Sequence, residues 1–144
     1  MDIKELKPTS IWHYFDAITG VPRPSKKEER IREFLLNFAK EQNLEVKVDK
    51  TGNVVITKEA TPGCEGAPTV ILQAHMDMVC EKNGDVKHDF ERDPIETYID
   101  GEWVKARGTT LGADNGIGMA AAMAVLADKE LKHGRIQALF TVDE

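Results

Sequence analysis

Two short apolar segments, each running into acidic side chains, constrain the fold of this chain more than any other feature. The first (TVILQAH, residues 69–75) directly precedes Met76 and Asp77, and the second (ALFTV, residues 138–142) precedes Asp143-Glu144. Both are apolar, contain β-branched residues and lack Gly and Pro, which is typical of buried strands. Because TVILQAH is apolar on both faces, we expect it to lie in the middle of a sheet.

Two helices are predicted before these strands. In the first, Trp12, Phe15 and Ile18 lie on one face, and Gly20 is the expected C-cap. The second helix is expected to begin at a capping box made by Ser25 and Glu28, in the pattern S-x-x-E. Its inward positions follow the helical spacing i, i+3, i+4, i+7 and are Ile31, Phe34, Leu35 and Phe38.

Two hairpins and a third helix complete the predicted elements. Residues 44–58 read as two strands around a Lys-Thr-Gly-Asn turn, and residues 95–106 as a hairpin turning at Asp100-Gly101. Residues 119–130 (MAAAMAVLADKE) predict a close-packed, buried helix. Alternating strands and helices predict an α/β fold, a mixed β-sheet sandwiched by helices, in a single domain.

Composition excludes several classes of protein. The 144 residues include 19 Lys and Arg against 25 Asp and Glu, and the net charge of −6 disfavours nucleic acid or an anionic membrane as a partner. Cys64 and Cys80 are isolated, which predicts neither disulfides nor a thiolate zinc site. The first ten residues do not resemble a signal peptide, and the longest apolar stretch, 117–127, is too short to span a bilayer. We therefore expect a cytoplasmic protein.

Three clusters could carry chemistry, because ligand sites of α/β sheets lie at the carboxyl ends of strands. His75 and Asp77 could be a metal ligand and its supporting carboxylate, although a surface histidine is the commoner meaning of an isolated H-x-D. Asp114 lies in GTTLGADNGIG, whose glycines allow close approach to a bound group, but it could equally be a helix N-cap. A phosphate cradle is a weak alternative there. Asp143-Glu144 is the third cluster.

Together these clusters indicate a divalent metal site. Oxygen and imidazole ligands without thiolate suit catalytic zinc, and a carboxylate can bridge two ions roughly 3.5–4 Å apart in a hydrolytic site. Of the other histidines, we expect His13 and His133 to be solvated and His88 to be structural. Cys80 is expected to be a small packed thiol.

The sequence resembles the aminoacyl-histidine dipeptidases, also called Xaa-His or cytosolic non-specific dipeptidases, within the broader group of two-zinc exopeptidases. The resemblance covers essentially the whole chain, and GTTLGADNGIG after H-x-D-M-V is its most specific part. The stretches that carry it, in the family's order, are IWHYFDAITGVPRPSKKEERIREFL, LQAHMDMVCEKN, HDFERDPI, GEWVKARGTTLGADNGIGMAAA and FTVDE.

The resemblance implies a role for each site residue. His75 would be a ligand of one metal, Asp77 the carboxylate that supports His75, and Asp114 the bridge between both metals. Glu144 would be the general base that activates the attacking water, with the next ligand one position further on. The resemblance also implies a cis peptide bond between Asp114 and Asn115, and two Zn²⁺ ions, with Mn²⁺ or Co²⁺ as substitutes.

By the same resemblance, residues 1–144 would be the N-terminal portion of a metallopeptidase catalytic domain, truncated before its lid, insertion domain and C-terminal part. The full-length protein would hydrolyse small dipeptides and could be a homodimer, whereas this fragment would be inactive. Its final strand would pair with strands from the missing sequence. A related aminoacylase or tripeptidase is an alternative, and so is a non-catalytic α/β binding module.

Overall fold

The computed structural model describes residues 1–144 and has a mixed α/β fold, as the sequence predicts. A short 3-10 helix at Ile3–Glu5 precedes three α-helices and six strands. The helices are α1 (Thr9–Thr19), α2 (Glu29–Glu41) and α3 (Ala113–Ala127). The strands are β1 (Glu45–Val48), β2 (Val54–Lys58), β3 (Val70–His75), β4 (Thr97–Asp100), β5 (Trp103–Ala106) and β6 (Ile136–Thr141).

The main sheet has four strands in the order β1-β2-β6-β3, and β4 and β5 form a separate hairpin. Strand β6 runs antiparallel to β2 and parallel to β3. Both edges of β6 are therefore filled, so the expectation that the final strand pairs with missing sequence is wrong.

Within residues 1–144, TVILQAH does not have its predicted central position, because β3 lies at one edge of the four-stranded sheet. Val70 and Ile71 are 51% and 61% exposed, so apolar side chains remain open on both faces of its first half. An apolar run on both faces indicates what a strand's side chains can bury. It does not indicate how many neighbouring strands the backbone has.

One contiguous core joins the three helices to the sheet. Alternate residues of β6 are buried, and the buried side chains of α1, α2 and α3 belong to the same cluster. Phe15 and Ile18 of α1 are buried as predicted, and α3 is buried through much of its length. The predicted inward face of α2 is confirmed, with Ile31, Leu35 and Phe38 buried and Phe34 packed against the core.

The predicted capping box of α2 does not form. The helix begins at Glu29, and no side chain caps its N-terminus. The Ser25 hydroxyl instead donates to a carboxylate oxygen of Asp77, and Glu28 Oε2 accepts a hydrogen bond from the Asp143 N–H at 2.7 Å. Both side chains therefore bind the loops that follow β3 and β6, and not the backbone at the start of α2.

None of the helices combines the length and the apolar character that crossing a membrane requires.

Candidate metal centre

The parallel pairing of β3 with β6 brings two of the predicted clusters to one edge of the sheet. His75 is in register with Thr141, and the Met76 N–H donates to the Thr141 carbonyl at 2.7 Å. The carboxyl ends of parallel neighbours meet at one edge, which is where α/β folds place their ligand sites. Asp77 and Glu144 follow these strand ends directly.

The His75 ring is held between two carboxylates. Its Nδ1 lies 2.9 Å from the Asp77 carbonyl oxygen and 3.3 Å from Asp77 Oδ1, and its Nε2 lies 2.9 Å from Asp114 Oδ1. Burial alone would lower the pKa of His75, but the hydrogen bond to Asp114 and the charge of Asp77 outweigh it and raise that pKa. Asp77 engages Nδ1 and thereby directs Nε2 towards Asp114.

Asp77 is a buried carboxylate with an assigned partner for each oxygen. The residue is 2% exposed; Ser25 Oγ donates to Oδ2, and the Glu144 N–H donates to Oδ1 at 3.2 Å. Burial alone would raise the pKa of Asp77, but these hydrogen bonds and His75 lower it. Asp77 therefore stays ionised beside the imidazole, as a carboxylate that orients a metal-ligating histidine must.

Asp114 presents an exposed carboxylate near the beginning of α3. Its side chain is 97% exposed, and the Asp114–Asn115 peptide is cis, as the family resemblance implies. Asp114 is not the N-cap of the helix: that position is Gly112, with φ +78°, and Asn115 Oδ1 accepts the Gly118 N–H at 3.0 Å. The alternative of a plain capping aspartate is therefore wrong.

All four predicted site residues line one cleft of about 330 Å³. Glu144 contributes its N–H to Asp77, and its own side chain is exposed. Ser25 and Thr110 are further polar residues of the wall. The structure thus brings the four residues together, while the roles given to them stay predictions.

The donor set fits a divalent metal in part. Asp77 engages Nδ1 of the His75 ring, and Nε2 of the same ring faces the exposed carboxylate of Asp114. This is the arrangement expected of two ligands of one ion. No group of three or more His, Cys, Asp or Glu side chains is close enough together to hold an ion. These residues therefore supply two candidate ligands, and further ones would have to be added to hold zinc firmly.

Sequence reasoning missed two residues that support this centre. The sequence predicts a helix cap for Ser25 and no role for Arg23. Arg23 is 2% exposed and donates to backbone carbonyls of both ligand-bearing segments. No sequence pattern indicates such contacts, because backbone carbonyls carry no residue identity.

The remaining candidates lie outside the centre. His88 packs edge-on against Phe90, in keeping with the structural role expected of it. His133 is half-buried, with Nδ1 against the Gly134 carbonyl, and not solvated as expected. The Cys80 thiol faces the Met78 carbonyl, and burial raises its pKa, which suits a packed thiol better than a ligand.

Similar proteins share both the sequence and the fold. The cytosol non-specific dipeptidase of Escherichia coli is 52% identical over 143 residues, which is 99% of this chain and 30% of that protein. The crystal structure of aminoacylhistidine dipeptidase from Vibrio alginolyticus superimposes with a TM-score of 0.98 at 56% identity, covering all of this chain and 29% of that one.

A dinuclear metal-binding peptidase of the M20 family from Bacillus subtilis shows the same fold at 16% identity. Its TM-score is 0.56, and the match covers 94% of this chain and 35% of that one. The chain thus spans about 30% of the length of the curated dipeptidase it matches. Residues 71–144, just over half of the chain, match the peptidase family M20/M25/M40. The chain is therefore a member of peptidase family M20/M25/M40.

Proposed function

We propose that a protein carrying this sequence at the length of its curated relatives is a metal-dependent dipeptidase. Its substrates are small unblocked dipeptides, including Xaa-His, and it acts in the cytoplasm. The observation that carries the proposal is His75, oriented by Asp77 and facing Asp114, in a chain 52% identical to a dipeptidase.

His75 and Asp114 are the proposed metal ligands. The ions would be two Zn²⁺, for which Mn²⁺ or Co²⁺ could substitute, and Asp114 would serve as a ligand of both. Nε2 of His75 and the exposed carboxylate of Asp114 face each other at 2.9 Å, and both are ligand types that zinc accepts. The remaining ligands come from other parts of the whole protein. When bound, the ions polarise the scissile carbonyl and lower the pKa of the attacking water.

Asp77 orients His75, and Glu144 transfers the proton. Asp77 holds the Nδ1 side of His75, so that Nε2 is directed to the metal side throughout turnover. Glu144 takes the proton from the attacking water and passes it to the leaving amine, as a general base and then a general acid. The side chain of Glu144 is free to do this, because only its N–H is engaged by Asp77.

The test is a substrate panel on the whole protein, freed of metal by a chelator and then reloaded with zinc. We expect hydrolysis of Ala-His and Ala-Ala that is lost on chelation and restored by zinc. Hydrolysis of an N-acetylated amino acid would indicate the aminoacylase alternative, and hydrolysis of a tripeptide would indicate the tripeptidase alternative. Preferential cleavage of either one, or cleavage of none, would contradict the proposal.

A further inference from the structure

Arg23 connects the two segments that carry the proposed ligands. It lies between α1 and α2 and is 2% exposed. Its Nη1 donates to the carbonyl oxygens of Met76 and Asp77, each at 3.1 Å, and its Nη2 donates to the Gly112 carbonyl at 2.5 Å. One rigid, planar group thus spans the end of β3, which carries His75, and the turn that leads to Asp114.

This guanidinium is buried without an ion-pair partner. Its hydrogen bonds all go to backbone carbonyls. Burial lowers the pKa of Arg23 to about 10, against the opposing charges of Asp77 and Cys80. Burying a cation is costly, and no carboxylate forms an ion pair that offsets the cost here. The cost is offset by carbonyl oxygens on two separate segments, which a planar group with several donors can satisfy together.

Two glycines leave the space that the guanidinium fills. A Cβ atom on Gly112 or on Gly116 would lie 2.7 Å from Arg23 Nη2 in each case. Gly112 also has a positive φ, whereas Gly116 has helical backbone angles and directly follows Asp114 and Asn115, whose backbone angles are not helical. The backbone angles of Gly116 do not require glycine, so its presence at this position needs a packing reason. The close approach of Arg23 supplies that reason, because its three hydrogen bonds keep the guanidinium from moving aside.

We propose that Arg23 is a positioning residue of the metal centre, which fixes the separation between the His75 and Asp114 segments. The Arg23 guanidinium occupies space that a Cβ atom on Gly112 or Gly116 would need. The inference rests on the proposed function only in taking His75 and Asp114 as metal ligands. It concerns how tightly the metal is held, and not which substrate is cleaved.

The first test compares zinc affinities of whole-length proteins by competition with a chromophoric chelator. Arg23→Lys keeps the charge but replaces the planar fork by a single ammonium, which cannot bridge both segments. We expect a zinc Kd that is roughly 10–100-fold weaker, as for other residues that orient metal ligands. Lysine also leaves a buried carbonyl without its donor and lowers the stability of the metal-free protein, so zinc Kd is compared at a temperature at which both metal-free proteins are fully folded. Arg107→Lys is the matched control, because Arg107 is exposed and stacks on Tyr98.

The second test uses Gly116→Ala. Helix propensity alone predicts that this change stabilises α3, whereas displacement of the guanidinium predicts weaker zinc binding. In an Arg23→Met background the guanidinium is gone, so Gly116→Ala should weaken zinc binding no further. Such non-additive effects of the Arg23 and Gly116 substitutions on zinc affinity would show that the two residues are directly coupled.

Wild-type zinc affinity in Arg23→Lys would overturn the inference, and so would additive effects of the Arg23 and Gly116 substitutions on zinc affinity. It would also be overturned if zinc affinity fell only in proportion to the stability of the metal-free protein. Zinc affinity is measured without substrate. A whole-length protein that binds zinc but cleaves no dipeptide would therefore overturn the proposed function. The zinc affinities of the Arg23 and Gly116 variants would still test the inference about Arg23.

Discussion

At the scale of single residues, the candidate centre depends on a chain of hydrogen bonds that begins outside it. Ser25 donates to Asp77, Asp77 engages the Nδ1 side of His75, and His75 Nε2 faces Asp114. The serine is 52 positions away from Asp77 in sequence. The orientation of His75 is therefore established by the fold itself, before any ion is considered.

Replacing Ser25 by alanine should weaken this orientation without disturbing the core. Asp77 Oδ2 loses its donor, and we expect zinc affinity and kcat/KM of the whole protein to fall roughly 10-fold or more. Zinc competition and Ala-His kinetics measure the effect. Ser10→Ala on the exposed side of α1 is the control. Equal values for the two alanine variants would show that the Ser25 contact does not support the centre.

At the scale of elements, β6 is the strand that organises the molecule. It is paired on both edges, and Ile136, Ala138 and Phe140 are buried on its core face. Its carboxyl end lies beside that of β3, so the packing of this strand and the placement of the candidate site depend on each other.

Phe140→Ala should therefore be severely destabilising. Phe140 is 0% exposed, and removing a buried phenyl ring costs about 3–5 kcal/mol of unfolding free energy. Urea denaturation of the whole protein measures the loss. Leu131→Ala is the control, because Leu131 is 44% exposed and should change stability by about 0.5 kcal/mol or less. A Phe140→Ala loss as small as that of the control would contradict the central placement of β6.

Helices and strands were predictable from the sequence, because the spacing of apolar residues indicates which side chains are buried. The alternating strands, the apolar faces of α1 and α2, and the buried α3 all follow from spacing and composition. The sheet order was not predictable in the same way. TVILQAH has the composition of a central strand, yet β3 is at the edge and β6 lies between β2 and β3. Strand neighbours are chosen by long-range pairing, which a local pattern does not encode.

The capping box failed for a related reason. Ser25 and Glu28 have the right spacing to cap α2, but Ser25 instead donates to Asp77, and Glu28 accepts from the Asp143 N–H. His75, Asp77 and Asp114 could be singled out because their residue types carry metal chemistry. Arg23 could not, because its partners are backbone carbonyls.

At the scale of the whole molecule, the described residues hold only part of a metal centre. His75 and Asp114 face each other, and no third ligand-type side chain completes a group around them. Zinc sites generally use about four ligands, with protein side chains supplying at least three. A charge of −6 favours cations in general but does not replace specific ligands.

A polypeptide of residues 1–144 alone should therefore bind zinc weakly and show no dipeptidase turnover. With two ligands, zinc should be lost to a mild chelator, and the attacking water would be neither positioned nor acidified. Zinc stoichiometry after gel filtration and Ala-His hydrolysis with added zinc or manganese are the measurements. Robust turnover by this polypeptide would show that the site has been misplaced.

The most direct test of the account is zinc content measured beside turnover for two variants of the whole protein. Glu144→Gln keeps the shape of the side chain and removes the base, so zinc content should stay near normal while kcat falls by roughly 10²–10⁴-fold. His75→Ala removes a ligand, so zinc content itself should fall, and turnover with it. Zinc lost in the glutamine variant and retained in the alanine variant would contradict the roles assigned to both residues.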